Sequence, residues 1–392
     1  MSAPVIQGWC PGALRPMISG DGLVVRVRAR GGRLEPAQVR GIADLARKHG
    51  NGLIDLSARA NVQLRGVTAD SHAPLIEGLR KFGVIDISSE AEARRNIVVT
   101  PFWAAGDGTQ EIAATLESRL SKPCAPATPG KFGYSIESAE VPVLRGVSSD
   151  IRIEWQSDGF LVRGEGFVTG ARATTPADIA EAAVELAHWF VEQGGGGVDG
   201  RGRMSRLWPE KSAKAREDLL PARFKEGRAV SHGAANPLPG PCPQGFLVAL
   251  AFGQTNADTF AALADLGPLR LTPWRMILIE GLARAPALSE LITDPTDPLL
   301  NVVACTGAPG CVQALAPTRA LARRLAPGLR DGTMLHVSGC AKGCAHPGAA
   351  PLTLVARGAD HWDLIRAGTA AGHAARAGIP ADALASDLFE TE

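Results

Sequence analysis

Apolar positions along the chain alternate in some segments and recur at helical spacing in others, and together they predict a strand–helix–strand unit that occurs twice. The segment Ile54–Val67 aligns with Leu269–Leu282 without a gap, so that equivalent residues differ by 215 in number. Upstream of each copy, an apolar strand-like run ends in glycine (Gly22–Gly32 and Gly245–Gly253) and is followed by a helical pattern containing Ala-Asp-Leu. We therefore expect two small α/β half-domains, with the helix of the first ending at Gly50, since glycine is a common helix terminator.

The regions outside the two copies carry mixed strand and helix patterns of their own. Between the copies, NIVVTPF (residues 96–102) is strand-like, and Pro176–Gln193 predicts a strong helix with Thr175 as its N-cap. After the second copy we expect a helix near Thr318–Leu325 and a final strand PLTLVARG (residues 351–358). The predicted order is a half-domain (1–85), an α/β domain (86–235), a second half-domain (236–292) and a cysteine-bearing domain (293–392). The fold class is α+β with pseudo-two-fold symmetry.

The last strand of the first repeat, which we expect to include residues 58–65, has a polar face. Successive side chains of a strand point to opposite faces, which places one polar set together: Arg59, Asn61, Gln63 and Arg65. The matching positions of the second copy are mostly apolar: Trp274, Met276, Leu278 and Glu280. Two guanidinium groups and two amides suit an anionic ligand held by bidentate hydrogen bonds. The alternative is an ordinary strand with one solvent-facing side.

The net charge and the distribution of apolar residues exclude two classes of partner. The 41 Lys and Arg residues against 40 Asp and Glu leave a net charge of +1, which excludes a generally basic nucleic-acid binder. No apolar run approaches the roughly 20 residues of a membrane span, and the N-terminal residues lack the basic and apolar regions of a signal peptide. We therefore expect a cytoplasmic protein with no nucleic-acid and no membrane partner. Any charged ligand should be bound by a local cluster of charged residues.

Four of the seven cysteines fall in one short stretch and form a C-x5-C and a C-x3-C pair. Zinc ribbons prefer C-x2-C pairs, whereas wider loops of small residues suit a larger group. Four thiolates are the usual ligands of a [4Fe-4S] cluster. We predict that the cluster ligands are Cys305, Cys311, Cys340 and Cys344, and we assign no site to Cys10, Cys124 and Cys242.

These motifs resemble the sirohaem-containing nitrite and sulfite reductase superfamily, and within it the precorrin-3B synthase family. The resemblance covers nearly the whole chain and is carried by four strings: CPGALRPM (10–17), GNGLIDLSARANVQLRGV (50–67), DPLLNVVACTGAPGC (297–311) and HVSGCAKGCAHP (336–347). It implies two ferredoxin-like half-domains with two α/β domains of the iron–sulfur and haem type. It also implies that the four cysteines bind the cluster, with Cys344 as the bridge to sirohaem iron if the chain is a reductase.

The resemblance also implies catalytic positions for three basic residues: Arg59, Arg95 and Lys131. Lys131 corresponds to the first lysine of a Lys-x-Lys pair in the reductases, but Gly133 stands where the second lysine belongs. Multi-electron reduction of a small oxyanion needs clustered cations and proton donors, so this departure weakens the reductase interpretation.

The synthase resemblance implies a monooxygenase of aerobic cobalamin biosynthesis that converts precorrin-3A to precorrin-3B by C20 hydroxylation and γ-lactone formation. Its implied cofactors are a [4Fe-4S] cluster and a mononuclear non-haem iron, and its implied co-substrate is dioxygen. The polar set at Arg59, Asn61, Gln63 and Arg65 would then bind the carboxylates of the tetrapyrrole. Because neither a dinucleotide fingerprint nor a phosphate loop is present, electrons should come from a separate NAD(P)H-dependent reductase. The alternatives are a sirohaem-dependent nitrite or sulfite reductase and, as a different class, an iron–sulfur electron carrier or zinc-binding module.

The sequence does not identify the ligands of the non-haem iron. No motif of two histidines and a carboxylate is recognisable; His346 beside the C-x3-C loop is either an iron ligand or an ordinary loop histidine. Lys342 either meets a ligand carboxylate or is solvated. Trp274 either stacks on a macrocycle or packs between the two half-domains.

Overall fold

The computed structural model describes residues 11–385, apart from 198, 230–232, 234 and 331. These residues form four β-sheets flanked by eight α-helices. None of these helices combines the length and the apolar character that a membrane crossing requires.

The first half-domain contains the first copy of the repeat. Its elements are β1 (Met17–Ser19), β2 (Gly22–Val27), β3 (Arg33–Leu34), α1 (Pro36–His49), β4 (Leu53–Leu56), β5 (Val62–Val67), α2 (Ala69–Lys81) and α3 (Ser89–Arg94). Helix α1 begins after Glu35, whose N–H donates to Gln38 Oε1 at 2.9 Å. It ends at Gly50, which confirms the predicted stop.

The middle α/β domain follows. Its elements are β6 (Ile97–Val99), α4 (Thr109–Leu120), β7 (Tyr134–Glu137), β8 (Ile151–Gln156), β9 (Gly159–Gly164), β10 (Thr169–Ala173), α5 (Pro176–Glu192), α6 (Ala213–Asp218) and β11 (Gly227–Arg228). The sheet order is β11-β10-β9-β8-β7-β6, with β6, β7 and β8 parallel and the other pairs antiparallel. The predicted helix α5 is confirmed, and its N-cap Thr175 Oγ1 accepts the Asp178 N–H at 3.2 Å.

The second half-domain repeats the order of the first. Its elements are β12 (Gly240–Cys242), β13 (Gly245–Leu250), β14 (Gln254–Asn256), α7 (Ala257–Leu263), β15 (Leu269–Leu271), β16 (Met276–Glu280) and β17 (Leu291–Ile292). Local backbone conformation repeats as well: Ala60 and Arg275, which are 215 residues apart, have φ values of 54° and 65°. The structure therefore confirms the pseudo-two-fold repeat.

Each half-domain sheet is completed by a strand from the other half-domain, which the sequence pattern did not predict. The two sheets have the orders β1-β2-β5-β4-β14 and β12-β13-β16-β15-β3. Strand β14 thus pairs with β4, and β3 pairs with β15. The two copies share one hydrophobic core, in which Val25 and Leu64 of the first join Val248 and Ile277 of the second. The predicted boundaries between the four parts stay a prediction.

The cysteine-bearing domain has the same strand plan as the middle domain. Its elements are β18 (Val302–Ala304), α8 (Arg319–Leu325), β19 (Leu335–Ser338), β20 (Ala350–Ala356), β21 (His361–Gly368) and β22 (Arg376–Pro380). Strands β18, β19 and β20 are parallel, and β21 and β22 continue the sheet antiparallel. Helix α8 is confirmed, but β20 is not the final strand as predicted, because β21 and β22 pair beyond it.

Candidate iron–sulfur site and ligand cavity

The four predicted cluster cysteines line one cavity of about 440 Å³. Cys305 and Cys311 lie on the loop after β18, and Cys340 and Cys344 lie on the loop after β19. Because β18 and β19 are parallel neighbours, their carboxyl ends open at the same edge of the sheet, where ligands bind in mixed α/β sheets. Strands β2, β4 and β5 of the first half-domain form the opposite wall.

The surroundings of the thiols fit a cluster with four ligands. None of these four cysteines forms a disulfide, and the Gly339 N–H donates to Cys305 Sγ at 3.2 Å. Burial raises the pKa of Cys344, Lys342 lowers it, and the other three thiols raise it further. The described residues contain no group of three or more His, Cys, Asp or Glu arranged to hold a metal ion. Four thiols spread around one cavity fit the usual ligand set of a [4Fe-4S] cluster, to which backbone N–H groups also donate.

The prediction of a continuous strand from residue 58 to residue 65 is wrong. Strands β4 and β5 are antiparallel neighbours, so the chain must reverse between Leu56 and Val62. The Ser57 N–H donates to the Asn61 carbonyl at 2.9 Å, and Ala60 adopts its positive φ in this turn. Arg59 and Asn61 therefore lie in a hairpin loop and do not alternate along a strand with Gln63 and Arg65.

The polar residues predicted to bind substrate are divided by this turn. Gln63 lines the thiol cavity and accepts hydrogen bonds from Arg26 Nε at 3.2 Å and Nη2 at 2.7 Å. Arg59 Nη2 donates to the Lys131 carbonyl at 2.9 Å, which brings two of the predicted basic residues together. Asn61 is buried.

Arg65 lines the cavity, but its guanidinium is engaged by protein groups. It pairs with Asp21 through Nε at 3.0 Å and Nη2 at 2.7 Å. Its Nη1 lies 3.6 Å from Asp55, and Nη2 also donates to the Gly310 carbonyl at 2.8 Å. This geometry connects Arg65 to the cysteine loop.

Arg95 lies in the protein interior, outside the thiol cavity. It is 4% exposed and pairs with Asp86 through Nε at 2.7 Å and Nη2 at 2.8 Å. Its Nη2 also donates to the Arg28 carbonyl at 3.0 Å. The structure thus places Arg95 directly behind Arg28.

Arg28 is a buried cation that the sequence analysis did not single out. It is 5% exposed and lines a second cavity of about 180 Å³ with Arg15, Glu92 and Gly130. Its Nε and Nη1 find no hydrogen-bond partner among the described residues. Burial lowers its pKa below the usual range of a guanidinium, to about 10, which marks a cation kept away from water. The signal in the sequence was the alternation VVRVRAR, which puts Arg26 and Arg28 on one side of β2 and its extension.

The remaining candidate residues are a histidine pair without an assigned role, a tryptophan that packs against another ring, and three separate cysteines. His336 is fully buried, its ring lies 5.8 Å from that of His346, and neither ring nitrogen of His336 has a partner in the described part of the chain. Burial, followed by the charges of His346 and Arg275, lowers the His336 pKa to about 4. Trp274 stacks on Phe102 with ring centres 6.4 Å apart, in agreement with the packing alternative. Cys124 is exposed, Cys242 lies on β12, and Cys10 is outside the described residues.

Comparisons with known proteins agree with this architecture. Residues 15–82 match the nitrite/sulfite reductase ferredoxin-like half domain. A precorrin-3B synthase of a Sinorhizobium species is 30% identical over 389 residues, which cover 90% of this chain and 81% of that protein. The assimilatory ferredoxin-dependent nitrite reductase of Haloferax mediterranei is 26% identical, over 84% of this chain and 70% of that protein. Among solved structures, Mycobacterium tuberculosis NirA superposes with a TM-score of 0.66 at 18% identity, over 94% of this chain and 79% of that chain.

These likenesses extend over most of the chain and reach the two half-domains and the cysteine-bearing domain alike. Members of this superfamily use sirohaem and [4Fe-4S] clusters in oxidoreductase chemistry. The chain therefore belongs to the nitrite and sulfite reductase superfamily, in the family of the Sinorhizobium precorrin-3B synthase.

Proposed function

We propose that this protein is a precorrin-3B synthase, a monooxygenase that converts precorrin-3A to precorrin-3B. One atom of dioxygen enters the macrocycle at C20, a γ-lactone closes from the ring A acetate, and the other atom leaves as water. The balance requires two electrons and two protons, which an external electron donor and solvent supply. The family assignment and the cavity between the half-domain sheet and the four thiols support this proposal.

The observation that carries the choice of oxygenase over reductase is the environment of Gly133. A Cβ atom at this position would lie 3.0 Å from Asn96 Nδ2 and 3.1 Å from the Asn96 carbonyl. Asn96 is itself fixed, since its Nδ2 donates to the Phe132 carbonyl at 2.9 Å. A lysine at position 133 would therefore require Asn96 to move. Without that second lysine, Lys131 and Arg59 provide fewer cations than reduction of a small oxyanion demands.

Three cations outside the thiol cavity suit a large polycarboxylate substrate: Arg28 is buried, Arg59 is half-buried and Lys131 is exposed. Arg28 offers two N–H-bearing nitrogens that have no acceptor among the described residues, and carboxylates are the acceptors that arginine binds best. Arg59 and Lys131, joined by their hydrogen bond, provide further positive charge. We assign these residues to binding and orienting the acidic side chains of the macrocycle.

Cys305, Cys311, Cys340 and Cys344 would hold the [4Fe-4S] cluster, which when bound passes electrons one at a time. The Gly339 N–H on Cys305 Sγ stabilises the negative charge of that ligand. The proposed mononuclear non-haem iron has no ligand set that we assign.

The alternative is a sirohaem-dependent nitrite or sulfite reductase, which the similarity to nitrite reductases supports. In that case, the tetrapyrrole would be a prosthetic group, and Cys344 would be a ligand of its iron as well as of the cluster.

The deciding experiment is a count of iron and acid-labile sulfide in anaerobically purified protein, together with solvent extraction of tetrapyrrole and an assay with precorrin-3A, dioxygen and an electron donor. The synthase is expected to contain four sulfides and about five irons, four of which belong to the cluster. It should contain no sirohaem and should form precorrin-3B. Extractable sirohaem with nitrite or sulfite reduction would establish the alternative. Protein with an intact cluster that leaves precorrin-3A unchanged would overturn the proposal.

A further inference from the structure

The loop that carries Cys305 and Cys311 is held by the first half-domain through one carbonyl oxygen. The Gly310 carbonyl, one residue before Cys311, accepts hydrogen bonds from Ser19 Oγ at 2.6 Å, Gly20 N at 3.2 Å and Arg65 Nη2 at 2.8 Å. Arg65 and Gly310 are 245 residues apart in the chain. Three donors from the other wall of the cavity thus fix the backbone beside a cluster ligand.

Close packing makes this contact rigid. A Cβ atom on Gly20 would lie 2.2 Å from the Pro309 carbonyl and 3.0 Å from the Cys311 nitrogen, so the turn between β1 and β2 fits the cysteine loop without spare room. Arg65 cannot swing away, because Asp21 holds it through two hydrogen bonds and Ser19 Oγ accepts a third at 3.1 Å.

The second half-domain contains an equivalent arginine–carboxylate pair, in which the two residue types have exchanged positions. Asp55 and Arg65 correspond to Arg270 and Glu280, 215 residues later, and Arg270 Nε pairs with Glu280 at 2.6 Å. Arg270 Nη1 donates to the carbonyls of Pro101 and Trp103, each at 2.7 Å.

Those two carbonyls lie on the loop after β6, the counterpart of the loop after β18. In each half of the molecule, an arginine of the half-domain therefore holds the loop after the first parallel strand of the facing domain. Residues 100–108, the loop after β6, contain no cysteine, whereas the loop after β18 contains Cys305 and Cys311.

We propose that Arg65 is a positioning residue for the iron–sulfur cluster, which acts by holding the Gly310 carbonyl and with it Cys311. This inference rests on the cluster in the proposed function and gives Arg65 a role in place of the predicted contact with substrate. Groups that orient metal ligands from behind typically change metal affinity 10- to 100-fold when removed. They also tune the reduction potential of a cluster, since hydrogen bonding near the sulfurs is one of its determinants.

The test compares Arg65→Met with Arg270→Met, its pseudo-symmetric control, in the full-length protein purified anaerobically with its cluster. The measurements are the rate of iron release to an excess of chelator and the reduction potential followed by electron paramagnetic resonance. We expect Arg65→Met to release iron about 10-fold faster and to shift the potential. Arg270→Met should leave both at wild-type values, although it also loses a buried ion pair. Arg65→Lys should recover part of the loss, because an ammonium group can still reach one acceptor.

A second variant tests the same contact if Arg65→Met does not fold. Ser19→Ala removes one donor from the same carbonyl without leaving a charge unpaired, and should accelerate iron release by a smaller factor. Wild-type rates and potential in both Arg65→Met and Ser19→Ala would overturn the inference, as would equal acceleration in Arg65→Met and Arg270→Met. A wild-type protein that holds the cluster but lacks synthase activity would refute the proposed function and leave this inference standing. A wild-type protein without any cluster would refute both.

Discussion

Replacing Arg28 by methionine should stabilise the free protein and weaken its binding of a polycarboxylate tetrapyrrole. Burial lowers the Arg28 pKa well below the usual range of a guanidinium, to about 10, although the charge of Glu92 opposes this shift. Because a tenfold change in a protonation equilibrium corresponds to about 1.4 kcal/mol, keeping this guanidinium charged costs the folded state on the order of 3 kcal/mol. Methionine has an unbranched apolar side chain that fills irregular space. We therefore expect the free energy of unfolding to rise by about 1 to 3 kcal/mol.

Arg95 provides the matched control, because it is equally buried and lies beside Arg28 but is paired. Arg95→Met would leave the Asp86 carboxylate buried without its partner, and should lower the free energy of unfolding by about 3 to 5 kcal/mol. The two neighbouring substitutions should thus change stability in opposite directions.

The assay is urea unfolding of the full-length chain under identical anaerobic conditions, with binding of uroporphyrin III as the stable polycarboxylate probe. Loss of a hydrogen bond to a charged group is worth about 1.5 to 3 kcal/mol, so Arg28→Met should weaken probe binding about 10-fold or more. The reasoning is refuted if Arg28→Met lowers the unfolding midpoint as far as Arg95→Met does, or if probe affinity does not change.

Three further outcomes test other parts of the site. Cys340→Ser should abolish cluster iron and sulfide and loosen the cysteine-bearing domain, because ligand binding and folding are coupled; retention of four sulfides would exclude Cys340 as a ligand. Arg59→Ala should keep the cluster and weaken binding of uroporphyrin III; equal loss of both would make Arg59 structural. Burial raises the pKa of Glu137, although its backbone hydrogen bonds oppose this shift. The protonated side chain therefore contributes stability to the folded state below the unfolded pKa of about 4.3. This contribution is lost as the pH rises through the raised pKa of the folded state. Glu137→Gln should therefore gain stability relative to wild type over that window, and parallel pH profiles would contradict the assignment.

Features encoded by neighbouring residues could be predicted from the sequence. The constant difference of 215 in residue number between the two copies predicted the duplicated half-domain. The apolar spacing and the terminal Gly50 predicted helix α1, and the N-cap Thr175 predicted the start of helix α5. The two closely spaced cysteine pairs indicated that the four thiols lie together, and the structure places all four around one cavity.

Features that depend on distant partners could not be predicted. The polar pattern from residue 58 to residue 65 does not distinguish a strand from a hairpin turn followed by a strand, and the pairing of β4 with β5 decides between them. The exchange of β3 and β14 between the sheets depends on how two separate copies meet. Arg28 and Arg65 are both arginines of an apolar strand region. Two guanidinium nitrogens of Arg28 have no hydrogen-bond partner among the described residues, whereas Arg65 binds a loop 245 residues away.

The loops after β7 and β19 occupy equivalent places in the two α/β domains, but different groups line them. In the middle domain, the loop after β7 is fixed internally, since Glu137 Oε2 accepts the N–H groups of Val143 at 2.7 Å and Leu144 at 3.0 Å. The corresponding loop after β19 carries Cys340 and Cys344, which line a cavity. The middle domain thus fixes its loop after β7 with its own side chain, while the loop after β19 carries thiols that an inserted group can connect. Removal of the cluster should therefore loosen the cysteine-bearing domain and leave the middle domain folded, a difference that hydrogen exchange would resolve domain by domain.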